Sequence, residues 1–82
     1  MARIINRPAD VTMGPGGVPV SFKWAGGRYR VKEVLDHWLE AGRWWEQESE
    51  KATWRVATLE GGMFELTWDQ AAKRWHLYKA YD

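Results

Sequence analysis

Hydrophobic and polar residues alternate over the segment VPVSFKWA, residues 18–25. Val18, Val20, Phe22 and Trp24 fall on one face, and Pro19, Ser21, Lys23 and Ala25 fall on the other. A period of two residues is typical of a half-buried β-strand. We therefore predict a strand that ends at the two glycines following this segment.

Gly26-Gly27 tolerate the positive φ angles of a two-residue hairpin turn. The segment RYRV that follows is therefore predicted to return antiparallel to the first strand. This turn sets Trp24 opposite Tyr29 and Phe22 opposite Val31, so the aromatic side chains meet on one face.

Residues 31–41 fit two interpretations. The apolar pattern of the returning strand slips at Val34-Leu35, which indicates a bulge or a bend. Alternatively, apolar residues recur there at i, i+3, i+4, i+7 and i+8, the spacing of a short amphipathic helix that ends near Gly42. Strand and helix both stay open for this segment.

A second hairpin is predicted from TWRVATL and MFELTW, which flank residues 60–62, Glu-Gly-Gly. A two-residue loop would set Arg55 opposite Trp68, whereas a three-residue loop sets Trp54 opposite Trp68 and pairs apolar residues with one another. The pairing therefore favours the three-residue loop.

The segment WHLYKAY near the end of the chain is predicted to be the last strand. Closing its connection with Asp69 opposite Arg74 sets Trp75 beside Trp68. Together with the second hairpin, this register predicts one cross-strand row of Trp54, Trp68 and Trp75.

These segments predict a mainly β fold over residues 1–82, a single small domain with a weak first strand at 3–7. The expected architecture is an antiparallel meander or barrel-like sheet of about five strands. One short helix near residues 31–41 is the open alternative. GPGG at 14–17 is predicted to be a loop.

Tryptophan dominates the apolar composition. Leu, Ile, Val and Phe number 15 of 82 residues, but the chain also contains seven Trp and three Tyr. Because the formal net charge is only +1, the composition favours a folded chain over a disordered one. We expect aromatic packing to supply a large share of the core.

The cellular location of the protein, and whether it contacts a membrane, can be predicted from features that the sequence lacks. It contains no cysteine, which excludes a disulfide scaffold and a thiolate metal site. No apolar run approaches the roughly 18 residues of a membrane-spanning helix, and the start MARIINRPAD lacks the apolar core of a secretory signal. We therefore expect a cytoplasmic protein without membrane contact.

Residues suited to catalysis or metal binding are few and scattered. The only histidines are His37 and His76, and no known spacing joins them to Ser21 or Ser49 as a nucleophile and its base. The acidic residues at 46–50 lie apart from both histidines and are typical of a solvated loop. We expect no enzymatic activity, no metal site and no cofactor.

Basic residues are concentrated in the first half of the chain. Residues 1–44 contain seven Lys or Arg and four acidic residues. The first predicted hairpin places four of these cations on one sheet face: Lys23, Arg28, Arg30 and Lys32. Such a face could follow the phosphate backbone of a single strand, or it could be an ordinary solvated face, which the near-neutral total charge favours.

Arg43 precedes an adjacent pair of tryptophans, Trp44 and Trp45. Neighbouring side chains of an extended chain point in opposite directions, so one indole is available to a partner unless both are buried. Trp and Arg are prominent among the residues that dominate protein interfaces. These three residues are therefore the predicted partner-binding site.

Three stretches of the chain carry a resemblance: HWLEAGRWW, TWRVATLEGG and the closing RWHLYKAYD. They resemble a small uncharacterised bacterial domain family and the C-terminal segment of the inactive Y-family polymerase homologue in the bacterial mutasome cassette. The resemblance covers roughly residues 30–82 and carries over no active-site residue. It implies an accessory, protein-contacting role in error-prone DNA repair, with the translesion polymerase machinery as partner.

The sequence thus predicts a non-catalytic protein-interaction module that is accessory to bacterial error-prone DNA repair. The alternative is a single-stranded nucleic-acid-binding β domain that uses the basic face and an exposed tryptophan. The modest charge predicts that any nucleic-acid binding is weak.

Overall fold

The computed structural model describes residues 2–40 and 50–81. Its strands are β1 (Ala2–Pro8), β2 (Asp10–Met13), β3 (Pro19–Trp24), β4 (Gly27–Glu40), β5 (Lys51–Thr58), β6 (Met63–Asp69) and β7 (Arg74–Tyr81). A 3-10 turn, Pro15–Gly17, joins β2 to β3 where the loop was predicted. The mainly β fold is confirmed, with seven strands rather than about five. No helix of the described residues is long and apolar enough to cross a membrane.

All seven strands belong to one antiparallel sheet in the order β1-β7-β6-β5-β4-β3-β2. β1 and β2 form its opposite edges, although only Ala9 separates them along the chain. The sheet must therefore curl until the two edges approach each other, and the Ala9 N–H donates to the Trp75 carbonyl oxygen of β7 at 3.1 Å. The result is a half-barrel, whose concave side we call the inner face and whose convex side we call the outer face.

The helix considered for residues 31–41 is wrong, because β4 continues to Glu40. β4 pairs with β3 through residues 27–30 and with β5 through residues 31–40. One long strand therefore joins the two halves of the sheet, and the interpretation as a strand with a bulge is confirmed.

Two bulges in β4 explain why the spacing of its apolar residues resembles that of a helix. Its register against β5 shifts at Lys32 and again at Leu35. Val31, Val34 and His37 consequently all lie opposite inner-face positions of β5. Each bulge inserts one residue and lengthens the apolar spacing from two residues to three. The same spacing is produced by a helix, so periodicity alone could not separate the two structures.

The first hairpin turns one residue earlier than predicted. Its turn is Ala25-Gly26, with φ angles of 50° and 78°, and Phe22 lies opposite Tyr29. The predicted pairing of Trp24 with Tyr29 is therefore wrong by two residues. A shift of two keeps every side chain on its face, so the assignment of faces is correct. Phe22 and Tyr29 stack with ring centroids 5.2 Å apart.

The second hairpin shows the same kind of displacement. Trp54 lies opposite Leu66 rather than opposite Trp68. The turn encloses residues 59–61 instead of 60–62, because the Thr58 N–H donates to the carbonyl oxygen of Gly62 at 3.2 Å. The loop length is as predicted, but its position along the chain is not.

The three predicted tryptophans form a cluster on the inner face. Trp68 lies opposite Trp75, as predicted, and their ring centroids are 5.5 Å apart. The Trp75 ring also contacts Trp54, at 5.2 Å between centroids. Trp75 is therefore the centre of the cluster. The single row is wrong for Trp54, because its strand is displaced by two residues.

The core lies on the inner face. Its buried members are Phe22, Val56, Phe64, Leu66, Trp75, Leu77 and Ala80. Leu66 and Leu77 lie opposite each other on β6 and β7 and are fully buried. Half-buried aromatic residues, among them Trp54 and Trp68, surround this centre. The expected share of aromatic packing in the core is confirmed.

Candidate functional site

The predicted partner-binding residues Arg43, Trp44 and Trp45 lie outside the described residues. They belong to the segment 41–49, which connects β4 to β5. Their role stays a prediction.

The first hairpin does bring predicted basic residues together on the outer face. Lys23 lies directly opposite Arg28, and both are exposed. Arg30 shares this face, but its Nε lies 3.0 Å from Oε2 of Glu60 and its backbone N–H donates to Oε1 at 2.7 Å. Lys32 lies at the first bulge of β4. One of the four predicted cations is therefore already paired with a carboxylate.

The pairing of Arg30 with Glu60 is ionic at neutral pH. The backbone N–H of Arg30, followed by its guanidinium, lowers the pKa of the Glu60 carboxyl from its ordinary value. Glu60 is exposed, at the tip of the β5–β6 turn. A carboxylate from a second hairpin thus reduces the charge that the basic face presents.

A row of stacked aromatic and cationic side chains crosses the outer face. The guanidinium carbon of Arg55 lies 5.3 Å from the ring centroid of Trp38 and 5.6 Å from that of Tyr81. Lys79 Nζ lies 5.1 Å from the Tyr81 ring. We call this row, Trp38–Arg55–Tyr81–Lys79, the cation–π ladder. Such contacts are attractive, because a cation over the face of an aromatic ring meets its negative electrostatic potential.

A buried carboxylate holds two side chains of the ladder in place. Glu65 stands on β6, between the strands of Arg55 and Tyr81, and is only 5% exposed. The Tyr81 hydroxyl donates a hydrogen bond to Glu65 Oε2, and Arg55 Nη2 lies 3.4 Å from the same oxygen. Because an unpaired buried charge is costly, Glu65 holds both side chains in place.

The charge of Arg55 is favoured by its neighbours. Burial by itself would lower the pKa of the guanidinium, but Tyr81 and Glu65 outweigh that effect, so the pKa is raised above its ordinary value. The side chain is still 36% exposed. The ladder therefore presents a permanent positive charge between two aromatic rings at the surface.

Trp38 is the end of the ladder on β4. Its ring is half-buried, and its Nε1–H donates to Glu40 Oε1 at 3.1 Å. The ladder could not be predicted from the sequence, because its members lie on three different strands. The predicted register of the second hairpin would also have set Arg55 opposite Thr67 instead of Glu65.

A polar cavity of about 320 Å³ lies beside the ladder on the outer face. It is lined by Asn6, Glu40, Lys51, Thr53, Thr67, Asp69, His76 and Tyr78. The hydroxyl oxygens of the buried Thr53 and Thr67 are 3.2 Å apart at its floor. This cavity is too polar to be a continuation of the core.

The two histidines lie on opposite faces of the sheet. His76 lines the polar cavity, whereas His37 stacks on Trp54 at the inner face with centroids 4.2 Å apart. Within residues 2–40 and 50–81, no group of three or more His, Asp or Glu side chains is arranged to hold a metal ion. The absence of catalysis, metal and cofactor stays a prediction.

Comparison with known proteins identifies a family without a known activity. A family model described as "Domain of unknown function (DUF6504)" matches residues 3–82. No curated protein and no solved structure matches the chain. The family match agrees with the resemblance to a small domain family, and it contains nothing that links the chain to the mutasome polymerase homologue.

Proposed function

The chain belongs to the DUF6504 family of domains of unknown function, and we propose that it is a non-catalytic protein-interaction module. The cation–π ladder carries this proposal. Trp, Tyr and Arg are the residue types enriched among interface hot spots. Side chains that are already fixed before binding also lose less conformational entropy when a partner binds. The ladder combines this composition with this rigidity.

Trp38 is the proposed anchor of the interface. Its indole N–H is already satisfied by Glu40, so a partner can cover the ring without leaving a donor unpaired. The Arg55 guanidinium supports one side of the ring. Arg43, Trp44 and Trp45 follow Trp38 closely along the chain, and we propose that they contact the same partner.

The proposed setting is bacterial error-prone DNA repair in the cytoplasm, with the translesion polymerase machinery as the partner. Support comes from the resemblance of HWLEAGRWW, TWRVATLEGG and RWHLYKAYD to the inactive polymerase homologue of the mutasome cassette. The module is proposed to act there by contacting other proteins.

Pull-down of the tagged chain from cells with and without DNA damage tests this function. Nuclease treatment in parallel distinguishes protein contacts from contacts through nucleic acid. We expect a protein partner that stays bound after nuclease treatment, because the ladder offers aromatic contacts that do not need a phosphate backbone. Partners that are all released by nuclease would contradict the proposal.

A second candidate function is weak binding of single-stranded nucleic acid by the basic face. The observation that favours it is the exposed pair formed by Lys23 and Arg28. Two features weigh against tight binding: Glu60 pairs with Arg30, and the formal net charge is only +1. Few neutralised phosphates release few counterions, so affinity stays low.

We expect the chain to bind oligo-dT more weakly than about 10 µM at physiological salt, near the range of non-specific contacts. Fluorescence anisotropy over a series of salt concentrations measures this. Glu60→Gln removes the partner of Arg30 and is expected to change the affinity less than about threefold. Sub-micromolar binding at about 150 mM salt that Arg28→Glu with Arg30→Glu abolishes would instead favour the nucleic-acid function.

A further inference from the structure

A cleft opens at the end of the half-barrel where the two edges of the sheet approach each other. Its volume is about 460 Å³. The walls come from the link between β1 and β2, the turn between β3 and β4, and the start of β7. Its lining residues include Asp10, Lys23, Trp24, Arg74 and Trp75. The cleft lies apart from the ladder, which shares none of these residues.

Two cations from different strands are among the residues that line the cleft. Lys23 belongs to β3 and Arg74 to β7, and both are exposed. Asp10, opposite Lys23, is the one carboxylate among the lining residues. Asp69, opposite Arg74, directs Oδ1 to two backbone N–H groups of the β6–β7 turn. Two cations and one carboxylate line the cleft, so the formal charge of its lining residues is positive.

Trp24 gives the cleft an aromatic wall, and Trp75 is also among the lining residues. Trp24 is half-buried, so part of its ring remains accessible. Trp75 is 7% exposed, and its buried Nε1–H has no acceptor among the described residues. Buried donors are normally hydrogen-bonded, so an orphan N–H indicates a missing acceptor, either a water or an atom of a ligand.

We propose that this cleft binds a nucleotide unit. Lys23 and Arg74 hold its phosphate, and its base lies against the ring of Trp24. An inorganic anion would leave the aromatic wall unused, and a neutral aromatic ring would leave two cations unused. A nucleotide uses both the aromatic wall and the cations. In single-strand binding sites, base stacking on aromatic side chains acts together with phosphate contacts to basic groups. An acceptor atom of the ligand, or a water that it orders, completes the hydrogen bonding of Trp75.

The nucleotide site differs from the basic face of the first hairpin. Lys23 belongs to both, but Arg28 lies outside the cleft and Arg74 lies outside the hairpin. The sequence could not associate Lys23 with Arg74, because only the curl of the sheet brings β3 close to the start of β7. The site is also independent of the proposed protein-interaction function.

Titration of the full chain with dTMP, followed by the indole Nε1–H resonances in NMR spectra, tests the proposal. Trp75→Phe assigns the resonance of interest. We expect that resonance to move saturably with dTMP, and to move little with thymidine or with inorganic phosphate at equal concentration. Arg74→Gln is expected to weaken dTMP binding about tenfold. Lys73→Gln removes the same charge from the neighbouring residue outside the cleft and should leave binding unchanged.

Three results would overturn the nucleotide site. The first is a Trp75 resonance that stays in place at millimolar dTMP. The second is equal binding of dTMP and thymidine, which would remove the role of the cations. The third is an Arg28→Gln effect as large as that of Arg74→Gln, which would move the contact to the basic face. Oligo-dT that binds more tightly than dTMP through the same cleft would identify the nucleotide as part of a strand.

Discussion

Leu77→Ala is expected to lower the free energy of unfolding by about 3–4 kcal/mol. Leu77 is fully buried and lies opposite the equally buried Leu66 at the centre of the inner face. The core is formed by one curled sheet and contains few aliphatic side chains, so little neighbouring material can refill the cavity. Chemical denaturation followed by tryptophan fluorescence measures the change. A loss of this size is a large fraction of the stability of a small domain.

Leu59→Ala is the matched control for this prediction. It is the same substitution at a residue that is 57% exposed in the β5–β6 turn. Its expected cost is below about 0.5 kcal/mol. Equal losses for Leu59→Ala and Leu77→Ala would mean that the inner face is not the core.

Arg55→Met is expected to destabilise the chain, because it removes the cation beside a buried carboxylate. Methionine keeps much of the aliphatic bulk between Trp38 and Tyr81, so the loss is mainly one of charge. Glu65 retains only the hydrogen bond from Tyr81. Because the guanidinium is partly exposed and therefore partly screened by solvent, the melting temperature should fall by about 5 °C or more. Differential scanning calorimetry measures that fall.

A second substitution separates the charge from the packing. Adding Glu65→Gln to Arg55→Met replaces the buried carboxylate with a neutral amide, which can still accept the hydrogen bond of Tyr81. We expect the double variant to recover at least half of the lost stability. A double variant as unstable as Arg55→Met alone would show that the buried charge does not fix the ladder.

The faces of the strands and the register of β6 with β7 could be predicted from the sequence, but the registers of the first two hairpins could not. Both hairpins are displaced by two residues, a change that leaves every side chain on its predicted face. Glycines marked the turns, but Ala25 also adopts a positive φ, and the Thr58 N–H closes the other turn at Gly62. Such local hydrogen bonds and backbone angles cannot be predicted from the positions of the apolar residues.

Less of the candidate site than of the fold could be predicted from the sequence. Lys23, Arg28 and Arg30 share a face as predicted, because the period of a strand fixes that relation. The ion pair of Arg30 with Glu60 joins two hairpins, and the cation–π ladder joins three strands. Contacts of this kind depend on sheet order, register and curvature together, and a pattern along one strand contains none of these.

The interaction proposal is tested most directly with the protein partner that stays bound after nuclease treatment. The measurement compares its affinity for the Trp38→Ala variant with its affinity for the wild type. Leu39→Ala is the matched control, because Leu39 is the next residue of β4, points to the opposite face and is 75% exposed. Isothermal titration calorimetry should show a loss of about 2 kcal/mol or more for Trp38→Ala, roughly 30-fold in affinity, at a temperature where circular dichroism shows the variant to be folded. Leu39→Ala should bind like the wild type. Wild-type affinity in Trp38→Ala would contradict a partner surface on the ladder.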